Sequence, residues 1–551
     1  MRRSRGLLFL VVMTAGLTSA MAQSPSHHAP APAAKETGFL PGMGSYHHPI
    51  ATKNPEAQRY FDQGLTLVFG FNHDEAVRSF EKAAKLDPGA AMPWWGIAYA
   101  LGPNINMPVD PAGEKRAFDA VQKALAQQAP ENEKAYIAAL AKRYSDDPKA
   151  DLGARAQDYA EAMGEVAKRY PDDLDAATLY AEAMMDLRPW KLYTAAGEPV
   201  EGTEKIVSVL ESVLKRNPEH PGANHYYIHA VEASTHPERG LPSAQRLEKL
   251  VPGAGHLVHM PSHIYQRTGD YDRAAKSNAD AVRADEEYVR RTGATGIYPL
   301  AYSSHNLHFK AYADAMVGRY AAARAAGDKV VAHVLPRVKE MPMLETFLAT
   351  PTFVDLFFSK WDAILKTPEP PAEAPTARGL WHYARGVALA VSSRVAEAEK
   401  ERQAVIEIRA QIPEATMFGC TQLSSARRVL DVASNSLEAR IASARGDRSA
   451  SRKAWERAVE TEDSLAYDEP PTWFTSTRIS LGGELHRDRR FAEAEKVFRE
   501  ELERNPRNPR ALFGLSESLK AQGKLVDAGF IDRQLKVEWK SPGAPLRVKD
   551  L

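Results

Sequence analysis

Small and apolar residues recur along this chain in blocks of roughly 34 residues, each reading as two short helices joined by a turn. In residues 57–90, "AQRYFDQGLTLVFGFNHDEAVRSFEKAAKLDPGA", the block is marked by Gly64, Ala76, Phe80, Ala83 and Pro88. Small side chains let the two helices approach, the aromatic ring fills the space between neighbouring blocks, and proline stops the second helix. The same signature returns near the C-terminus in "GELHRDRRFAEAEKVFREELERNPRNP", with Ala494, Phe498 and Pro506, and "NPRALFGLSESLKAQGKLVDA" opens one more block. Strand signals are nearly absent.

This spacing resembles the tetratricopeptide repeat over most of residues 55–530, with degenerate blocks across 335–470. The resemblance implies an all-α fold: a helix-pair solenoid, wound as a right-handed superhelix, with a concave groove lined by the first helix of each pair. The expected organisation is a signal peptide at 1–22, a flexible linker at 23–44 and an N-terminal solenoid at 45–335. Degenerate helical repeats at 336–470 and C-terminal repeats at 471–545 follow.

Laid on this ruler, the histidines fall into register. If Pro218 closes one block, Asn224, Tyr227, Ile228 and Val231 take the packing positions of the next first helix, and His225, His229 and Glu232 face the groove. The following block aims His256, His259 and His263 the same way, and a later one His305 and His308. An earlier block places Asp175 and Glu182 on that face. Spacings of three and four residues keep each set on one helical stripe. Nine of the 17 histidines lie between His220 and His308. Elsewhere the same positions hold Phe61, Leu65, Trp95 and Tyr99, so the groove should be apolar at its N-terminal end.

Neutral imidazoles and carboxylates are ligands for first-row metals, and helix-borne pairs at i,i+3 or i,i+4 can hold two positions of one ion. Without a metal, clustered histidines repel one another once protonated. The expected ligands are His229, Glu232, His256, His259 and His263, binding a divalent Fe, Cu or Zn ion. His225, His305, His308 and Glu182 are expected to complete the site, hold a second ion or act as catalytic acid–base groups. Pro261 should kink its helix or open a late-starting one. Two insertions, "LRPWKLYTAAGEPVEG" (187–202) and "EYVRRTGATGIYPLAYSS" (287–304), are rich in aromatics and glycine, as lids often are. His47, His48 and Asn104 are weaker candidates to approach the groove, and His73 falls in a turn.

Charge changes the picture by exclusion. Lys plus Arg and Asp plus Glu both number 71, so nothing favours a nucleic-acid partner. The start, "MRRSRGLLFLVVMTAGLTSAMAQ", reads as an export signal with a cleavage site after Ala22, which predicts a periplasmic or secreted protein. No later run approaches a membrane span. Cys420 is the single cysteine, which rules out an internal disulfide or a thiolate cluster and reads as a buried filler. No phosphate-binding glycine loop and no G-x-S-x-G are present.

The phrases "HYYIHAVEAS", "LVPGAGHLVHMPSHIYQRTGDY" and "HNLHF", with "WWGIAYALGPNIN", resemble a group of exported bacterial tetratricopeptide proteins. That resemblance implies an extracytoplasmic solenoid and supplies no reaction; Lys191 in "RPWKLY" departs from it. The functional expectation is a metalloprotein with a mono- or dinuclear His/Glu site, catalysing oxidation or hydrolysis on a small molecule or peptide in the groove. Its rival is a metal-free adaptor that grips a peptide or protein partner there.

Overall fold

The computed structural model describes residues 38–540 and 545–551; the expected signal peptide and most of the expected linker lie outside them. Helices follow one another in antiparallel pairs from Pro55–Phe69 with His73–Leu86 through to Pro509–Ala521 with Leu525–Glu538. Among the described residues, the one sheet is a two-stranded hairpin, Met417–Phe418 against Ser424–Ser425. The protein is an all-α, tetratricopeptide-type helix-pair solenoid. No described helix is long and apolar enough to cross a membrane.

Local sequence explains how each pair starts and closes. The side chain of Asn54 accepts hydrogen bonds from the Glu56 and Ala57 amides, with Pro55 at the first helical position. Phe80 then enters a slot cut by two glycines. A Cβ on Gly64 or on Gly96 would come within 2.6 Å of its ring. Phe498 repeats the device between Gly482 and Gly514. The degenerate region keeps the helix pairs too, Pro375–Val391 with Val395–Gln411 and Ala426–Ala444 with Arg448–Asp463, with the hairpin between them.

The solenoid curls until distant segments meet. Arg267 Nη1 donates to Arg504 O (3.4 Å), Tyr271 Oη to Pro506 O (3.4 Å), and Tyr467 Oη lies 3.5 Å from Glu232 Oε2. The C-terminal repeats therefore wall in the histidine helices.

One expectation needs correction. The linker assigned to 23–44 is pinned at its C-terminal end: Leu40 N donates to Gln63 Oε1 (2.7 Å), Phe39 stacks on Tyr60, and Gly42 O accepts from Gly253 N (2.8 Å). Further along the same strap, His48 Nδ1 donates to Asp175 Oδ2 (2.6 Å) and Tyr46 Oη to Asp175 Oδ1 (2.6 Å). His48, Asp175 and His220 thus form a cluster of their own, since His220 Nε2 lies 3.2 Å from Asp175 Oδ1.

Two predictions follow from these contacts. Phe80→Ala, which leaves a ring-sized void between three helices, should cost about 3–5 kcal/mol in denaturant unfolding; a loss below about 1 kcal/mol would contradict the slot. Burial alone would lower the His48 pKa, but Asp175 outweighs it and raises it. Burial would raise Asp175, but His220 and His48 hold it far below the carboxylate range. The His48 contribution is complete below about pH 6.5 and lost as pH rises through its raised value; that of Asp175 is complete above about pH 3.9 and lost as pH falls. Amide protection in the strap should therefore peak between about pH 4 and 6.5, and a flat profile would refute the pairing.

Candidate metal centre

The helix Pro221–Val231 begins at a proline and carries His225 and His229 one turn apart, with Glu232 capping its end. The next first helix is broken. Gly255–His259 ends at Met260, and Pro261 opens Pro261–Arg267 as its first residue, so both expectations for Pro261 hold at once. The break lets His256, His259 and His263 aim at different neighbours. His305 and His308 sit on Ser303–Met316, which follows a π-helical turn at Tyr298–Tyr302.

Six imidazoles converge as two abutting triads: His225, His229 and His256, and then His259, His263 and His305. Within each triad one ligand atom per residue lies within 4.8 Å of the others. The rings of His256 and His259, one from each triad, have centroids 5.7 Å apart. The first triad is buried at 3% exposure or less. The concave groove is here covered over, so that these rings are buried beneath it, while His305 is half-buried.

The Nδ1 atoms of four rings are committed to acceptors. His225 Nδ1 donates to Phe69 O (2.6 Å), His229 Nδ1 to Glu232 Oε1 (2.6 Å) and His259 Nδ1 to Asn278 Oδ1 (2.7 Å). His263 Nδ1 donates to Glu232 Oε2 (2.5 Å). These bonds fix the rings so that Nε2 faces inward. His259 Nε2 and His263 Nε2 stand 2.8 Å apart, and His225 Nε2 and His256 Nε2 3.2 Å. His229 Nε2 and His256 Nδ1 are buried without a hydrogen-bond partner. Two ligands of one tetrahedral ion at ~2.0–2.1 Å would be separated by about 3.3 Å, close to the His225–His256 contact; the His259–His263 contact is shorter and would open on binding an ion.

Electrostatics separates the members. Burial pushes the imidazoles of His225, His256, His259 and His305 well down, and neighbouring histidines push them further. Burial would lower His263 as well, but Glu232 and Glu469 outweigh it and raise it to about 10. Burial would raise Glu232; His263 and His229 instead hold it at about 2. His263 Nε2 and His259 Nε2 lie within hydrogen-bond distance, and a cation bound there would compete with a proton for those nitrogens.

Glu232, expected as a ligand, accepts from two Nδ1 atoms and so aims two rings, one in each triad; with His263 and Glu469 it also forms a third set that could hold an ion. Two other expected site residues lie elsewhere. His308 turns away, with Nδ1 3.6 Å from Cys420 Sγ and its ring on Phe347, because it lies a turn beyond His305 on the same helix. Glu182 belongs to a different buried cluster with Asp186 and Arg143, and burial raises its pKa. His225 and His305, expected only to complete the site, are full members of the triads.

Sequence reasoning missed Glu469. It arrives from the loop after Arg448–Asp463, with Oε2 3.1 Å from His263 Nδ1, and no spacing in the chain signals that approach. Both insertions do cover the site. Trp190 meets His229 edge-on at 5.2 Å, and Tyr302 meets His256 at 5.0 Å. Over the histidines lies a pocket, open on one side, lined by Trp190, Tyr302, Met343, Phe347, Cys420 and Glu469 among others. Cys420 lines this pocket rather than simply filling core.

The comparisons with known proteins bear on the fold. The tetratricopeptide repeat model matches residues 57–89. Solved structures that resemble the chain include yeast Tom70, 14% identical, covering 89% of this chain and 93% of that one, with a TM-score of 0.30. A human IFIT1 dimer with m7Gppp-AAAA is 13% identical over 89% and 91%, at 0.33. The TPR domain of P58(IPK) is 11% identical over 85% and 98%, at 0.23. Similarity at this level carries nothing about site, ligand or partner. No curated protein matches the sequence significantly.

Glu232 anchors two imidazoles from a fully buried position, so its removal leaves His263 without its principal counter-charge. Glu232→Ala should cost about 3–5 kcal/mol in denaturant unfolding, against about 0.5–1.5 kcal/mol for Tyr467→Phe. Equal costs for the two would contradict the anchoring role.

Proposed function

We propose that this chain is a dinuclear metalloprotein, in which His225, His229 and His256 hold one first-row ion and His259, His263 and His305 hold a second. The observation that carries this reading is the pair of buried nitrogens without any hydrogen-bond partner, His229 Nε2 and His256 Nδ1, inside a triad whose ligand atoms lie within 4.8 Å of one another. Buried lone pairs left unmatched are costly, and a cation bound among them would satisfy them.

The donor set argues for copper. All six proposed ligands are imidazole, which suits Cu, Zn, Fe and Ni over Mg, Ca or Mn, and Cu(II) stands highest in affinity among the divalent ions. Charge is compatible with copper: the carboxylates beside the triads are Glu232 and Glu469, and an ion that can also bind in a monovalent state leaves less uncompensated buried positive charge than one held always as a divalent ion. Bound copper would supply one-electron redox chemistry at the floor of the pocket, and we read the protein as an oxidoreductase.

The chain's own residues do the rest. Glu232, Asn278 and the Phe69 carbonyl hold the imidazoles in the tautomer that frees Nε2. Trp190, Tyr302 and Phe71 exclude bulk water around the rings. The N-terminal composition supports an exported protein, which would meet its metal outside the cytoplasm.

Elemental analysis of protein isolated without chelators or a histidine tag should give two copper atoms per chain. His259→Ala should remove about one, and Glu232→Gln should weaken binding about 10–100-fold with helicity retained. Two zinc atoms would keep the dinuclear site and overturn copper. Metal at background, with His229→Ala weakening capture of a peptide, would instead favour the adaptor.

A further inference from the structure

The pocket above the triads has walls that restrict what it can admit. Its aromatic and thioether surface comes from Trp190, Tyr302, Phe347, Met343 and Met107. No lysine or arginine lines it. Its acidic end is Asp468 and Glu469, and both carboxylates are engaged. Asp468 accepts from the Cys420 amide (2.8 Å), the Thr421 amide (3.0 Å) and Thr472 Oγ1 (2.8 Å). Glu469 accepts from Tyr467 Oη, and its other oxygen, without a hydrogen bond of its own, stands 3.1 Å from His263 Nδ1. His263 is already flanked by Glu232 and Glu469, so an anionic ligand would meet two acids with no unpaired cationic side chain to receive it, and like-charge juxtaposition of that kind is costly. A cationic ligand would compete with His263 for Glu469 and otherwise meet aromatic and thioether walls.

Trp190 is the second, independent observation. Its backbone is left-handed, at φ 60°, a conformation that costs a bulky residue about 1–2 kcal/mol. The surroundings hold it there. Tyr193 Oη donates to Ala230 O (2.7 Å), next to His229, and Thr203 Oγ1 donates to Leu192 O (2.6 Å). Tyr193 also bridges to Pro199 across the loop. The loop is thus tied to the very helix that carries His225 and His229, and the indole is kept at the pocket wall. That wall is shared with a larger groove of about 1900 Å³, lined in part by Tyr193, Arg267 and Arg504, so Trp190 stands between groove and histidines.

We propose that this pocket binds an uncharged aromatic small molecule of about one ring, held between Trp190 and Phe347 with one edge toward the imidazoles. Pockets of this kind take most of their affinity from apolar walls and their orientation from a few polar groups, here Asn106, Thr421 and Gln422. The proposal names the substrate class of the metal site and so rests on the reading above, but its walls are formed by protein alone.

The test is calorimetric titration of the full chain, copper-loaded and metal-free, with 4-methylphenol and with 4-methylbenzoate. The neutral phenol should bind saturably, about tenfold or more tighter than the carboxylate. Phe347→Leu should weaken it about tenfold with copper content unchanged. If that variant loses helicity, Trp190→Phe serves instead, read on the metal-free chain, with the same expected direction. No saturable binding of 4-methylphenol, equal binding of 4-methylbenzoate, or an unaffected wall variant in folded protein would each overturn the proposal. Two copper atoms without phenol binding removes this inference alone; phenol binding with metal at background removes the metal reading and leaves the pocket.

Discussion

Everything in the middle of this solenoid depends on Glu232. One buried carboxylate accepts from His229 on its own helix and from His263 on the next, so it fixes the relative rotation of two helices and of two imidazole triads. Glu232 itself is shut in: the Tyr467 hydroxyl lies within 3.5 Å of it, and Arg267 reaches its carbonyl. A charge so deep is tolerated only with partners on every side. Here the partners are rings whose other nitrogens then have no choice but to face each other.

That constraint accounts for the departure from an ordinary repeat groove. In an open groove, histidines at these positions would be solvated and their repulsion slight. This chain encloses them with additions to the repeat: the 187–202 loop brings Trp190, the π-helical turn brings Tyr302, and the hairpin 417–425 brings Cys420. Superhelical curvature then brings Tyr467 and Glu469 from more than 200 residues away. Enclosure raises the cost of every unpaired nitrogen, which is the physical reason to expect a cation there.

Much of this was legible in the sequence. The 34-residue ruler gave the helix pairs, because the Gly–Phe–Gly slots leave a period that survives without tertiary information. It also put His225, His229, His256, His259 and His263 on facing stripes. The ruler failed where residues act across the superhelix. Glu469 and Asn278 reach the site from elements whose approach is set by curvature and by a paired second helix, neither of which spacing encodes. Glu232 reads as a ligand because a carboxylate at i+3 from a histidine fits that role, and spacing does not reveal that the same carboxylate also orients a ring on the next helix. His308 and Glu182 satisfied the stripe rule but lie a turn and a repeat away from the convergence point.

The most direct test of the central claim is anomalous diffraction at the copper edge from crystals of the metal-loaded chain. The account predicts two peaks, one within about 2.0–2.1 Å of nitrogens from His225, His229 and His256 and the other similarly close to His259, His263 and His305. A single peak elsewhere, or protein saturated with copper in solution yet showing none between these six rings, would contradict it.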